Sequence, residues 1–193
     1  YHILQFMPNN IQIALFSATM PDEEKQITKK FMRDPVEIFV SADMLTLEGI
    51  KQYYVAMNDD QQKYEVLKDI FNNVVFSQTI IYCNSVKRVQ DLTEAMKMDN
   101  FPVICIHSNM TQEERTEAIT GFRCGKHRGL ISSDLTARGI DVQQVSVVIN
   151  FDVSKNKEKY LHRIGRSGRW GRKGFAINFV TRRDTATLKE IEQ

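Results

Sequence analysis

The 193-residue sequence predicts an α/β fold, a parallel β-sheet with helices on both faces. Two observations predict it. Short apolar segments recur along the chain, each followed by roughly ten to fifteen residues of helical periodicity, the rhythm of successive β-α units. Several of these segments, among them TIIYC (79–83), PVICI (102–106) and VSVVINF (145–151), are continuous rather than alternating. Strands read that way when both faces of their sheet are covered. No repeat of roughly 20–50 residues is visible, which excludes solenoid architectures.

Taken in order, IQIALFS (11–17) reads as a buried strand. PDEEKQITKKFM (21–32) reads as a helix with proline at its start, acids early and lysines late, the arrangement a helix dipole favours. VEIFV (36–40) is a second strand, and SADMLTLEG (41–49) interrupts the alternation as a linker. IKQYYVAM (50–57) is a strand. The tract from Asp60 to about Asn73 is a helix with Tyr64, Leu67, Ile70 and Phe71 on one face. TIIYC is followed by a helix over 85–98, and PVICI by a helix over 111–122. The latter opens on Thr111 with Glu114 three residues on, a capping box. GLIS (129–132) and VSVVINF are strands, a short helix sits near 156–164, FAINFV (175–180) is the last strand and 182–192 the last helix.

The composition, 42% hydrophobic and 26% charged, is that of a globular chain. A formal net charge of +2 gives no overall basic field, but residues 157–173 hold seven Lys or Arg against one Glu. Within YLHRIGRSGRWGRKG (160–174), arginine recurs at Arg163, Arg166, Arg169 and Arg172, each two residues before a glycine. A flexible tail or a rigid phosphate-binding turn would both read this way. The stretch lies between a helix and an apolar strand and carries Leu161, Ile164 and Trp170 as anchors, which favours the folded site. In doubly wound sheets, ligands sit beyond the carboxyl ends of the strands. Cys83, Cys105 and Cys124 form no C-x-x-C pair and read as thiols in a reducing compartment, with no metal site expected. No apolar run approaches the roughly 20 residues that cross a bilayer, and no signal peptide opens the chain. The expected location is cytoplasmic or nuclear, without a membrane partner. YHILQFMPNN has no initiator Met and runs straight into a strand, so the chain is expected to be a piece of a longer one.

Four short motifs follow one another. SAT (17–19) comes directly after a strand, Q-x-x-R falls at Gln112 and Arg115, SSDLTARGID spans 132–141 and HRIGRSGR spans 162–169. In order and spacing they resemble the later motifs of the DEAD-box RNA helicases. TLEGIKQYYV, ARGIDVQQVS and GRKGFAINFVT look closest to the translation initiation factor 4A group. The resemblance implies a RecA-like parallel sheet with helices on both faces. It assigns 1–40 to the end of a first, ATP-binding domain, 41–49 to a linker and 50–193 to the second RecA-like domain. No G-x-x-x-x-G-K-[ST] loop and no DEAD tetrapeptide occur in the chain. Half of an ATP site is therefore expected elsewhere, with the Mg ligands, and this chain alone is expected to be inactive.

By the same resemblance, Arg166 and Arg169 are arginine fingers. A guanidinium is always charged and offers phosphate a planar fork, and such a residue can be worth about 10³–10⁵ in the rate of phosphoryl transfer. Gly165 and Gly168 let the backbone turn; Arg172 and Lys173 lie beyond the core motif and read equally well as solvated charges. Gly139 and Asp141 match nucleotide contacts, Asp141 toward the ribose, though Asp141 can also cap the following turn. Ser17, Thr19, Arg138 and His162 match residues that couple the two domains, with helix capping open for Ser17 and Thr19. For RNA, the pattern points to Asn84, Ser85, Ser108, Gln112, Arg115, Arg123 and Ser133. These short hydroxyls, amides and arginines suit phosphates and 2′-hydroxyls without reading bases. Read without the family, Gln112 and Arg115 are a solvated helix face. Two positions depart from the family pattern: Asn109 where an acid is usual, and Ser133 where threonine is usual. The implied partners are ATP, single-stranded RNA or a short RNA duplex, and regulatory proteins of initiation or RNA processing. A non-catalytic RNA clamp or protein-docking module, and a related helicase acting on DNA or a degenerate nucleotide-binding scaffold, stay open as alternatives.

Overall fold

A computed structural model describes residues 3–8, 10–17, 20, 22–38, 49–134, 145–168 and 173–192. The chain divides into two compact units, Tyr1–Thr46 and Leu47–Gln193.

The second unit is built on six strands: β1 (Ile50–Met57), β2 (Gln78–Cys83), β3 (Val103–Ile106), β4 (Gly129–Ser133), β5 (Val145–Asn150) and β6 (Gly174–Thr181). They form one sheet in the order β1-β6-β5-β2-β4-β3, with every pair parallel. The sheet is thus RecA-like in kind, as expected. The order reverses at β2, which lies between β4 and β5. Numbering the helix of the first unit α1 (Asp22–Thr28), the helices of the second are α2 (Asp60–Asn73), α3 (Val86–Met98), α4 (Gln112–Arg123), α5 (Lys157–Ile164) and α6 (Thr185–Glu192).

The period-2 geometry of the strands sends alternate residues to opposite faces. On one face, Ile81, Cys83, Ile131, Ile149 and Phe179 pack with Leu67 and Phe71 of α2 and with Val89, Leu92 and Met96 of α3. On the other, Ile80, Tyr82, Leu130 and Val148 meet Phe122 of α4, while Ala176 and Val180 meet Tyr160 and Ile164 of α5 and Ile191 of α6. Burial pushes the Cys83 thiol well above its usual range, so it behaves as a small apolar side chain.

Four helices begin on side-chain caps that satisfy otherwise orphaned amides. Asp59 accepts from the Gln62 amide while Gln62 Oε1 accepts from the Asn58 amide. Ser85 caps α3, Thr111 and Glu114 form the expected capping box of α4, and Asn156 caps α5.

The first unit departs from expectation. Residues 11–17 and the described part of 36–40 form no strand. A strand exists only through its ladder to a neighbour, and no partner strand lies among the described residues of this unit. Phe16, in the segment expected to be a buried strand, is 93% exposed, and Val36 is 88% exposed. Helix α1 is also shorter than the expected 21–32: the Thr28 hydroxyl donates to the Lys25 carbonyl, turns follow, and Asp34 takes a left-handed φ of 38°. The expected linker falls mostly on 41–48, outside the described residues.

Both apolar cores lie within 47–193, so a chain beginning at Leu47 is expected to keep cooperative unfolding, with a melting temperature close to that of the whole chain, and to gain solubility. Thermal melts and sedimentation of the two chains check this; a trimmed chain without a cooperative transition would show that residues 1–46 complete the fold.

Candidate functional site

Because all strands are parallel, their carboxyl ends lie on one side of the sheet. The polar residues that close these apolar strands therefore converge. Asn84 and Ser85 follow β2, His107 and Ser108 follow β3, Ser133 and Asp134 end β4, Asn150 and Asp152 end β5, and Thr181 and Asp184 end β6.

The centre of this constellation is Arg163, which is 2% exposed on α5. Its Nε donates to Asp134 Oδ1 at 2.5 Å, Nη1 to the Asp152 carbonyl at 2.7 Å and to Asn150 Oδ1 at 3.3 Å, and Nη2 to Asn84 Oδ1 at 2.7 Å. The guanidinium also lies over the Tyr82 ring, 5.2 Å from its centroid. One side chain thus ties the ends of β2, β4 and β5 to α5. The network continues through Asn150 to Asn178, from Asn178 to the Tyr160 hydroxyl, and from that hydroxyl to Gln52 on β1.

A second ionic cluster adjoins it. Lys63 of α2, also 2% exposed, lies 3.7 Å from Asp60, 3.7 Å from Asp152 and 3.5 Å from Asp184. Arg88 of α3 pairs with Asp152 and Asp60, and Asp152 Oδ2 accepts from the Asn84 amide at 2.9 Å. Burial alone would raise the Asp60 carboxyl, but Arg88 and Lys63 outweigh it and hold the group below the usual range. Burial likewise works against the charge of Arg88, and Asp152 and Asp60 more than restore it.

The residues singled out in the sequence distribute unevenly. Ser85 and Ser108 are exposed at strand ends, with Gln112 at the first turn of α4. Arg115, half-buried, donates from Nη2 to the Ser108 carbonyl at 2.7 Å, and its Nε finds no hydrogen-bond partner among the described residues. Ser133 is buried at the last position of β4. The Asn84 amide is committed internally, donating to the Val153 carbonyl as well as accepting from Arg163. Arg123 stands apart. It is the last residue of α4, which carries the chain back toward the amino ends of the strands, about 16 Å of helix from Gln112.

Arg166 follows α5, half-buried, its Nε donating to the His162 carbonyl at 3.1 Å. Of the two glycines credited with the turn, Gly168 has a φ of 70°, while Gly165 takes −64°, which any residue adopts. A Cβ on Gly174 would lie 2.6 Å from the Gly168 nitrogen, so this turn packs backbone against backbone at the start of β6. Asn109, exposed, accepts from the Ser108 hydroxyl. Ser17 is exposed in the first unit. Thr19, Arg138, Gly139, Asp141 and Arg169 lie outside the described residues.

Arg163, Lys63, Arg88, Asp134 and Asp152 were not expected to have these roles, yet two had a readable signal. Tyr160, Arg163 and Ile164 occupy one helical stripe, and Lys63 leads Leu67 and Phe71 at four-residue spacing. Among the described residues no group of three or more His, Cys, Asp or Glu could hold a metal ion.

Removing the Arg163 guanidinium leaves Asp134 and the Asn150 and Asn84 amide oxygens without their donor in a buried site. Arg163→Ala should therefore cost about 3–5 kcal/mol in urea unfolding. Arg163→Lys should recover little of it, since one ammonium cannot reach the acceptors of three strands. A loss below about 1 kcal/mol would place the strength of the site elsewhere.

A family profile described as the helicase conserved C-terminal domain matches residues 62–171. The chain is 51% identical over 193 residues to an ATP-dependent RNA helicase eIF4A of Kluyveromyces lactis, covering all of this chain and 49% of that protein. The chain spans about half the length of the curated relatives it matches. Among solved structures, Saccharomyces cerevisiae Dbp5 bound to RNA and ADP BeF3 superposes with a TM-score of 0.90 at 31% identity, over 98% of this chain and 51% of that one. The Escherichia coli DEAD-box protein SrmB, bound to the regulator of ribonuclease activity A, gives 0.71 at 32% identity over 76% and 85% of the two chains.

Proposed function

The chain belongs to the DEAD-box RNA helicases, whose conserved C-terminal domain it carries, and from that membership we propose that it is the second RecA-like lobe of an ATP-dependent RNA helicase of the initiation factor 4A type. In this reading residues 1–40 are the end of the first lobe, 41–49 the connection and 50–193 the second lobe. The observation that supports it best is the gathering of Ser85, Ser108, Gln112, Arg115 and Ser133 at the carboxyl ends of β2, β3 and β4, joined through Arg163 to the helix that leads to Arg166.

ATP supplies a phosphoryl group whose transfer to water develops negative charge. Arg166, with Arg169, supplies fixed positive charge to it when the lobes close. Asp141 and Gly139 contact the nucleotide, and Arg138, His162, Ser17 and Thr19 link its state to the RNA. Magnesium ligands and the phosphate-cradling loop come from the other half of the protein, so this chain alone does not turn over ATP. On the RNA side, Arg115 holds a phosphate, and the serine hydroxyls and Gln112 hold phosphates and 2′-hydroxyls without reading base edges. Arg163 works at one remove, setting Asn84 and α5 in a fixed relation. RNA, ATP and regulatory proteins are the partners, as the bound states of Dbp5 and SrmB suggest by analogy.

In the full-length protein, Arg166→Ala should lower RNA-stimulated ATP hydrolysis by about 10³-fold or more with little change in melting temperature. Near-normal turnover would remove Arg166 from the reaction. Arg115→Ala should weaken RNA binding equally across base sequences and flatten its salt dependence by about one phosphate's worth of slope; an unchanged slope in anisotropy titrations would return Arg115 to the solvated helix face.

A further inference from the structure

Beside the RNA-facing loops, the carboxyl ends of β1, β2, β5 and β6 enclose a cleft of about 690 Å³. Every residue lining it is polar or charged. Such a surface lacks the apolar or aromatic anchor that a protein partner or a drug-like ligand uses. Its charges are also sorted. The acids Asp60, Asp152 and Asp184 are occupied by Lys63 and Arg88 inside the wall, Asp184 further accepts from the Thr181 amide and hydroxyl, and the fourth acid, the exposed Asp59, caps α2 by accepting from the Gln62 amide. Arg182 and Arg183, at the turn between β6 and α6, are exposed at the mouth and make no hydrogen bond or ion pair among the described residues. Lys155, on the loop after the neighbouring β5, and Lys157, the first residue of α5, are exposed and add positive charge on the same side of the sheet. The cleft reaches the candidate RNA surface at Asn84, which lines it and directly precedes Ser85.

We infer that Arg182 and Arg183 form an additional phosphate-binding subsite that extends the RNA track of this lobe from the β2 end across to the β6 end. Its ligand is the sugar-phosphate backbone of the same RNA strand, gripped without base reading. Nothing in the cleft presents the stacking platform that a base would need. This inference rests on the RNA-binding function proposed above. It adds that strands long enough to span both surfaces bind more tightly, and with a steeper salt dependence, than strands that cover only the loops after β2, β3 and β4.

The test compares the 193-residue chain with its Arg182→Ala/Arg183→Ala double variant, by fluorescence anisotropy at low salt, on a short and a long oligouridylate. The long one should reach past the cleft. The variant should bind the short RNA as before, bind the long RNA at least several-fold more weakly, and lose about 1.4 from the slope of log K against log salt, two single-strand phosphates' worth. Both side chains are exposed, so melting temperature should not move. An unchanged affinity for the long RNA overturns the subsite. An equal loss on both RNAs also overturns it, since the arginines would then act as a general field. Unchanged RNA binding together with lost binding of a polyglutamate probe would reassign the cleft to an acidic protein segment. Arg115→Ala runs in parallel: if it leaves the short RNA unaffected, the underlying RNA surface fails, whatever the double variant does.

Discussion

The second unit depends on one buried guanidinium. Isolated, a charge as deeply buried as that of Arg163 would be prohibitive. Here four hydrogen bonds and the face of Tyr82 surround it, and its partners come from three different strands. Those strand ends are where a parallel sheet is otherwise weakest, since the ladder stops there and the chain must turn away. A charged pin at that place does what apolar packing cannot. It fixes direction as well as proximity, because a guanidinium fork accepts its partners only in plane. The neighbouring cluster of Lys63 and Arg88 extends the same solution toward β1 and β6.

In the function proposed above, this arrangement is what lets RNA recognition and ATP hydrolysis share so small a lobe. Asn84 touches Arg163 and directly precedes Ser85, the cap of α3. Arg166 lies three residues beyond Arg163, after the end of the same helix. The guanidinium and its hydrogen bonds connect the two ends. The network supplies a short, contiguous physical path between two sites that the sequence keeps far apart.

The fold from residue 50 onward was legible because its signals are local: apolar runs, helical periods and caps such as Thr111 with Glu114. Boundaries moved by a residue or so, except at the last helix, which begins at Thr185 rather than 182. Residues 11–17 misled because a strand is a relation between segments, and a single apolar run carries no information about whether its partner is present. In the site, motif spacing picked out residues at the carboxyl ends of the strands but did not distinguish the buried members from the exposed ones. Arg163 read as one of four equivalent arginines, although its place on the Tyr160–Ile164 stripe marked it as inward-facing. Arg123 read as part of the RNA group because sequence distance along α4 does not reveal that a helix traverses the sheet from end to end. The Lys63 cluster stayed hidden for a related reason: Asp152 and Asp184 close different strands, and only the sheet order brings them to one lysine.

The sheet order has one more consequence. Among the described residues β1, the first strand of this unit, sits at the edge and pairs only with β6, the last, with Ile50 opposite Gly174. During synthesis, therefore, the strand that leaves the ribosome first must wait longest for its neighbour. The strands made between them, β2 to β5, can assemble meanwhile, leaving Tyr53 and Tyr54 of β1 in water with an unpaired backbone. Completion is delayed until the arginine–glycine turn and β6 have emerged together, so the nascent lobe acquires its Arg163 pin and its closing strand in nearly the same interval.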